Sequence, residues 1–171
     1  RKKVTVLGST GSVGCNTLNL IKKSPGSYEI VALTANTSVS LLAEQAQEHR
    51  AQFVAIADES KYSALKEALF GSQIEVAAGE SGLIEAAIKA SDFIMSSIVG
   101  VAGLPPTFEA AKCGKTIGLA NKECLVSAGD IFLQEVKLNK ASLIPVDSEH
   151  NAIYQVLDYK CCLQGTEYLV Y

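Results

Sequence analysis

The chain has no run of about 18 apolar residues, and so no candidate membrane-spanning helix. It has no surplus of basic residues. Fifteen Lys and Arg against eighteen Asp and Glu give a formal net charge of −3, so the bulk positive field that favours nucleic acid or an anionic membrane is missing. Neither partner is expected. There is no Cys-x-x-Cys pair. The five cysteines, Cys15, Cys113, Cys124, Cys161 and Cys162, are odd in number and irregular in spacing, which points to reduced intracellular thiols and not to a disulfide framework or a zinc site. A signal peptide is not expected either: after Arg1-Lys2-Lys3 the apolar run 4–7 is only a strand's worth, and Gly8 follows at once. Internal repeats and low-complexity linkers are absent.

What is present suits a globular domain. The 171 residues are 48% hydrophobic and 19% charged, enough apolar material for a sizeable core. Apolar runs of strand length recur at 4–7, 30–33, 53–57, 74–77, 93–98, 116–119 and 142–146. Between them helical patterns carry mostly apolar residues at three- and four-residue spacing, as in Leu18/Ile21, Leu41/Leu42/Gln45/Ala46, Leu65/Ala68/Leu69, Ile84/Ala87/Ile88 and Ile131/Phe132/Val136. Gly103-Leu104-Pro105-Pro106 marks another helix entry. The strands are apolar throughout, as strands buried on both faces should be. The spacing therefore predicts an α/β fold, a doubly wound, mostly parallel, Rossmann-like sheet with ligands at the carboxyl ends of its strands. A composition shift near residue 146 suggests two parts: residues 1–145 as a dinucleotide-binding domain, and 146–171 as the start of an α+β domain, with a helix at 149–157 and a strand at 167–171. A first residue other than Met and an end inside a strand suggest a trimmed start and a truncated finish.

The first strand runs into Gly8-x-x-Gly11-x-x-Gly14. Gly8 allows a sharp turn, Gly11 lets a phosphate approach the backbone, and Gly14 lets the helix lie close to the strand. The helix start offers unpaired N–H groups to a pyrophosphate, and Ser9, Thr10 and Ser12 are expected to add hydroxyl donors. There is no Gly-Lys-Ser/Thr ending, so this is not a nucleoside-triphosphate loop. A tight turn without a ligand is the competing reading. No acid follows the second strand before Glu44; Asn36, Thr37 and Ser38 stand where an NAD-binding protein places its acidic residue. That absence favours NADP, although Thr37 or Ser38 could equally cap the next helix.

Two later motifs occupy strand ends. Asn121-Lys122-Glu123 offers a cation for a substrate phosphate or hydroxyl and two hydrogen-bonding neighbours; a plain helix start fits it as well. Asp147-Ser148-Glu149-His150 brings two carboxylates to one face of an extended stretch, hard oxygen ligands for Mg²⁺ or Mn²⁺. Alternatively Asp147 or Ser148 caps a helix. His150 could orient a hydroxyl or simply serve the fold, and His49, in the polar stretch Gln47-Glu48-His49-Arg50, is expected at the surface.

Three blocks in this order, Leu7-Gly8-Ser9-Thr10-Gly11-Ser12-Val13-Gly14, Leu119-Ala120-Asn121-Lys122-Glu123 and Pro145-Val146-Asp147-Ser148-Glu149-His150-Asn151-Ala152-Ile153, resemble the 1-deoxy-D-xylulose 5-phosphate reductoisomerases of the non-mevalonate isoprenoid pathway. The resemblance implies rearrangement of that phosphorylated sugar and its reduction by NADPH to 2-C-methyl-D-erythritol 4-phosphate, with a divalent cation (Mg, Mn or Co). Carried over by position, it assigns Thr10, Gly11, Ser12 and Val13 to the cofactor pyrophosphate, Asn36, Thr37 and Ser38 to its 2′-phosphate, and Asn121 and Glu123 to further cofactor contacts. Lys122, Ser148 and Glu149 would touch substrate, Asp147 and Glu149 the metal, and Lys122, Asp147 and Glu149 would be catalytic. Members often carry Gly-Lys-Asn or Gly-Ser-Asn where this chain has Asn36-Thr37-Ser38. The family continues with a third acidic ligand, a lid and a C-terminal helical domain, so these residues alone are expected to bind NADPH without turnover. The complete enzyme is expected to be a homodimer in the bacterial cytoplasm or a plastid-type organelle, not secreted. A stand-alone NADP-sensing module and a different NADPH reductase are the alternatives.

Overall fold

The computed structural model describes residues 1–146. Seven strands alternate with helices: β1 (Lys2–Leu7), α1 (Ser12–Lys22), β2 (Tyr28–Ala35), α2 (Val39–Glu48), β3 (Phe53–Ile56), α3 (Tyr62–Ala68), β4 (Glu75–Ala78), α4 (Gly79–Ile88), β5 (Phe93–Ser96), α5 (Leu104–Lys112), β6 (Thr116–Leu119), α6 (Glu123–Leu138) and β7 (Ser142–Pro145). The strands form one sheet in the order β4-β3-β2-β1-β5-β6-β7. Every pairing among them is parallel.

Each strand lies within two residues of its predicted run. The reason is that parallel strands buried on both faces need no polar alternation, so each reads as a continuous apolar block. The pairing of β1 with β2 steps by one residue between Val4 and Thr5, leaving Val31 as the extra residue of a bulge. Two cores result. Val4, Val6, Leu33, Val54 and Ile56 pack beneath Leu18 of α1, Leu42 and Ala46 of α2 and Leu65 of α3. Leu7, Ala55, Ile94 and Ile117 pack on the other face beneath Leu83, Ala86 and Ala87 of α4, Ala110 and Ala111 of α5 and Phe132 of α6. Small residues let α4 cross close to the sheet: a Cβ on Gly82 would meet the Ala77 Cβ at 3.0 Å.

Two local features depart from expectation. Helix α6 is interrupted at Ala128, whose φ of −144° is non-helical, just before Gly129; a small residue followed by glycine is a common break point. His49 is half-buried, not the surface residue expected. At the C-cap of α2 its side chain is only 9% exposed, and burial holds its imidazole below the ordinary pKa range despite Glu48 nearby. Among the described residues no helix is long and apolar enough to cross a membrane. The helix expected at 149–157 and the strand at 167–171 lie outside the described residues.

Candidate functional site

The strand order changes direction between β1 and β5, and open parallel sheets bind ligands in the crevice such a reversal leaves at the carboxyl edge. A cleft of about 260 Å³ lies there. Gly8, Thr10 and Gly11 line one side, Ala35, Asn36 and Ala57 a second, and Ser97, Ile98 and Val99 a third, with Leu83 and Ala102 completing it.

The three glycines serve different ends. Gly8 has φ +80°, a left-handed turn, and a Cβ there would meet the Ser97 carbonyl oxygen at 2.8 Å. Gly14, inside α1, has no room at all: a Cβ would overlap the Gly8 carbonyl oxygen and lie 2.5 Å from the Ser9 Cα. Both glycines are required by the fold. Gly11 is different. Its φ is −78°, and the nearest atom to an added Cβ is the Gly8 carbonyl oxygen at 3.5 Å, ordinary contact. Packing does not demand glycine there, yet the residue lines the cleft. Next to it α1 begins at Ser12 with no acidic residue in its first turn. The first N–H groups of a helix have no intrahelical acceptor and sit at its positive dipole end, so the helix start at Ser12 and Val13 has the electrostatics that suit an anion.

Ser9 corrects one expectation. It is fully buried, and its hydroxyl donates to Gln45 Oε1 at 2.7 Å and towards the Thr34 carbonyl at 3.2 Å. It therefore faces the interior and offers nothing to the cleft.

At the end of β2, Asn36, Thr37 and Ser38 are all exposed. The Asn36 carbonyl accepts the Asp58 N–H at 3.0 Å, and the Thr37 carbonyl accepts the Val39 N–H at 2.9 Å. Ser38 caps α2 by position, but its hydroxyl makes no capping bond, and the first turn of α2 has no acid. The side-chain cap considered from sequence is thus not formed. Asp58, the nearby acid, is committed to its own turn: hydrogen bonds from Ser60, whose N–H lies 3.0 Å away, hold its carboxyl below the usual range.

Asn121 follows β6 and is 1% exposed. Its Nδ2 donates to the carbonyls of Ile98 at 2.5 Å and Gly100 at 2.9 Å, pinning the loop that forms the third wall. Its Oδ1 has no partner, and besides Thr5 Oγ1 it is the only buried side-chain N or O so placed among the described residues. A buried acceptor without a donor costs about 1–3 kcal/mol, and a ligand hydroxyl or amide could offset that cost. Lys122 is exposed, and Glu123, half-buried, opens α6. The helix-start reading of this motif therefore holds together with the placement of Asn121 behind the cleft wall. Val146, whose N–H donates to the Leu119 carbonyl at 3.0 Å, ends the described residues at the same edge. Asp147, Ser148, Glu149 and His150 lie outside them. Among the described residues no group of three His, Cys, Asp or Glu could hold a metal ion.

The structure therefore brings Thr10, Gly11 and Asn36 into one cleft, with Ser12 and Val13 at the helix start beside it and Asn121 behind its wall. The sequence reading missed Ala57, Leu83 and the end of β5. The rule that ligands sit at a reversal in strand order would have flagged Ser97, Ile98 and Val99, had the order been known.

Residues 4–129 match the family model described as 1-deoxy-D-xylulose 5-phosphate reductoisomerase. A protein of that name from Sinorhizobium fredii is 54% identical over 160 residues, which cover 92% of this chain and 41% of that protein. The reductoisomerase of Zymomonas mobilis, solved in complex with NADPH, superposes with a TM-score of 0.91 at 49% identity, covering 93% of this chain and 42% of that one. A reductoisomerase structure with NADPH, fosmidomycin and magnesium superposes with a TM-score of 0.91 at 38% identity, covering 96% and 42%. The chain thus spans about two fifths of the length of these relatives.

Proposed function

The chain belongs to the 1-deoxy-D-xylulose 5-phosphate reductoisomerase family, and we propose that residues 1–145 are the domain with which such an enzyme holds NADPH. The observation that carries this reading is Gly11, a glycine that the fold does not need, bordering a cleft at a helix N-terminus free of acidic residues. The residues fit the cofactor. Thr10, Gly11, Ser12 and Val13 hold the pyrophosphate: Thr10, Ser12 and Val13 offer backbone N–H groups, and Gly11, whose own N–H donates to the Gly8 carbonyl at 3.1 Å, leaves the open space for its close approach. Asn36, Thr37 and Ser38 receive the 2′-phosphate; their exposure, the uncommitted Ser38 hydroxyl and the acid-free start of α2 support this. Asn121 accepts from the cofactor through its unpartnered Oδ1, and Glu123 contributes a second contact.

In the complete enzyme the activity is the NADPH- and divalent-metal-dependent conversion of 1-deoxy-D-xylulose 5-phosphate to 2-C-methyl-D-erythritol 4-phosphate. Bound NADPH supplies the hydride. The protein's own part begins with orientation: Asn121 fixes the loop that forms the third wall of the cleft, and Lys122, exposed at the carboxyl edge, would take a substrate oxygen. Residues 146–171 start the catalytic domain. Its Asp147 and Glu149, two carboxylates two residues apart, are hard oxygen donors suited to Mg²⁺, Mn²⁺ or Co²⁺, and Ser148 and Glu149 touch substrate. The NADPH, magnesium and fosmidomycin held by a related reductoisomerase structure agree with this chemistry. The 171 residues by themselves are expected to bind NADPH without turnover, and the complete enzyme is expected to be a homodimer.

Calorimetric titration with NADPH and NADH tests the cofactor reading; tighter NADPH binding is expected, and equal affinities would refute the role given to residues 36–38. The complete gene product should oxidise NADPH only when 1-deoxy-D-xylulose 5-phosphate and a divalent cation are present. Asp147→Asn should abolish that turnover, and an active variant would refute the metal role.

A further inference from the structure

A buried polar cluster lies behind the glycine loop, and Gln45 is its centre. Gln45 sits on the inward face of α2 between the buried Leu42 and Ala46, and is 7% exposed. That stripe otherwise carries apolar side chains, and packing alone would accept another. Instead the amide grips one residue of the loop from both sides. Oε1 accepts the Ser9 hydroxyl at 2.7 Å, while Nε2 donates to the Ser9 carbonyl at 3.0 Å. Nε2 also lies 3.5 Å from the Cys15 sulfur in the first turns of α1, and that thiol donates to the same Ser9 carbonyl at 3.4 Å. Thr34 holds the loop from β2: its Oγ1 accepts the Gly8 N–H at 2.9 Å, and its carbonyl accepts the Ser9 N–H at 2.8 Å.

The grip has a geometric consequence. Helix α2 is a rigid element with Ser38 at its start and Gln45 two turns along. Gln45 therefore ties the start of α2 to the residues that lead into Gly11 and the start of α1. We propose that Gln45 is a positioning residue that sets the separation of the two phosphate subsites, the glycine loop and the start of α2, so that one cofactor molecule can occupy both. This rests on the reading of residues 10–13 and 36–38 given above. A ligand that engages two subsites at once gains from their fixed spacing, through a high effective concentration at the second. A ligand that engages one subsite gains nothing from it.

The test compares full and half ligands on the full chain. Gln45→Met keeps the side-chain volume, removes both hydrogen bonds to Ser9, and leaves the Ser9 hydroxyl its second acceptor, the Thr34 carbonyl. NADPH, adenosine 2′-phosphate and reduced nicotinamide mononucleotide are titrated in parallel with a thermal melt. NADPH is expected to bind about 10-fold more weakly, a loss of about 1.4 kcal/mol, with each half ligand within twofold of the parent value. NADPH within twofold of the parent would overturn the inference. So would equal weakening of all three ligands, which is the mark of general damage. If Gln45→Met does not fold, Ser9→Ala, which removes only the hydroxyl, is read by the same criteria. A parent chain that does not bind NADPH would overturn the cofactor reading itself; a parent that binds, with no selective loss in the variants, overturns only the role of Gln45.

Discussion

Alanine at Gly11 and alanine at Gly14 differ by one methyl group placed three residues apart, and the structure predicts opposite phenotypes. At Gly14 the new Cβ would overlap the Gly8 carbonyl oxygen and stand 2.5 Å from the Ser9 Cα and 2.7 Å from the Ser9 carbonyl carbon. All three atoms are backbone, so α1 must move away from β1. Such overpacking costs about 3 kcal/mol, and helix propensity offsets about 1 kcal/mol of it. The net loss of about 2 kcal/mol should lower the melting temperature by roughly 4–8 °C. At Gly11 the Cβ meets only the Gly8 carbonyl oxygen, at 3.5 Å. Alanine is a poorer N-cap than glycine, by up to about 1 kcal/mol. It also restricts the unfolded chain, which stabilises by about 0.4–1 kcal/mol. The two nearly cancel, so the melting temperature should stay within about 2 °C of the parent. On the proposed reading, however, the methyl group occupies space assigned to the cofactor pyrophosphate, and NADPH affinity should fall at least about 10-fold. Thermal melts followed by circular dichroism, without ligand, and calorimetric NADPH titrations measure the two effects separately. A Gly11→Ala protein that binds NADPH as the parent does would refute the assignment of the pyrophosphate. A Gly14→Ala protein with parental stability would refute the packing argument.

Thr5→Val removes a buried hydroxyl without a partner and should stabilise the fold by about 1 kcal/mol, read as a higher urea midpoint; a lower midpoint would show that the hydroxyl is satisfied. Asn36→Asp places a negative charge on the cleft wall at the end of β2, and should reduce NADPH affinity at least about 10-fold while changing NADH affinity far less. A parallel loss for both cofactors would contradict the 2′-phosphate subsite. Burial keeps the folded pKa of His49 below its ordinary 6.5, so the unfolded chain takes up the proton first. The stability that follows is complete above about pH 6.5 and is lost as the pH falls through the lower, folded value. Urea midpoints measured down the acid side should decline less steeply for His49→Gln than for the parent, and identical slopes would remove His49 from the account.

The sheet was legible because parallel strands buried on both faces announce themselves as uninterrupted apolar runs, and the reading of Gly8 and Gly14 followed from local geometry. Side-chain direction was less legible. Ser9 looks like a phosphate donor in sequence, but its acceptor is Gln45, 36 positions away, and no spacing rule reports that contact. His49 looks like a surface residue because its neighbours are polar, whereas its burial comes from the fold around the end of α2. Asn121 was singled out for its neighbours in the motif, but its two hydrogen bonds to residues 98 and 100 become visible only once β5 and β6 are adjacent. The uncapped Ser38 is a further case, since a residue type that favours caps did not form one.

The strand order also bears on how the molecule comes into being. Of the seven described strands β1 is made before the others and finds β2 within a few dozen residues, yet its other edge remains unpaired until β5, some ninety residues later, pairs Val4 with Phe93 and Leu7 with Ser96. On the ribosome, β1 through β4 can therefore assemble as a half-sheet with an open edge, while the third wall of the cleft does not yet exist. The Ser97 hydroxyl, which donates to the Leu7 carbonyl at 2.7 Å, joins the two halves directly beneath the glycine loop. NADPH would thus recognise a chain only after its two halves have met, and by mass action would favour the joined state over every partly folded one.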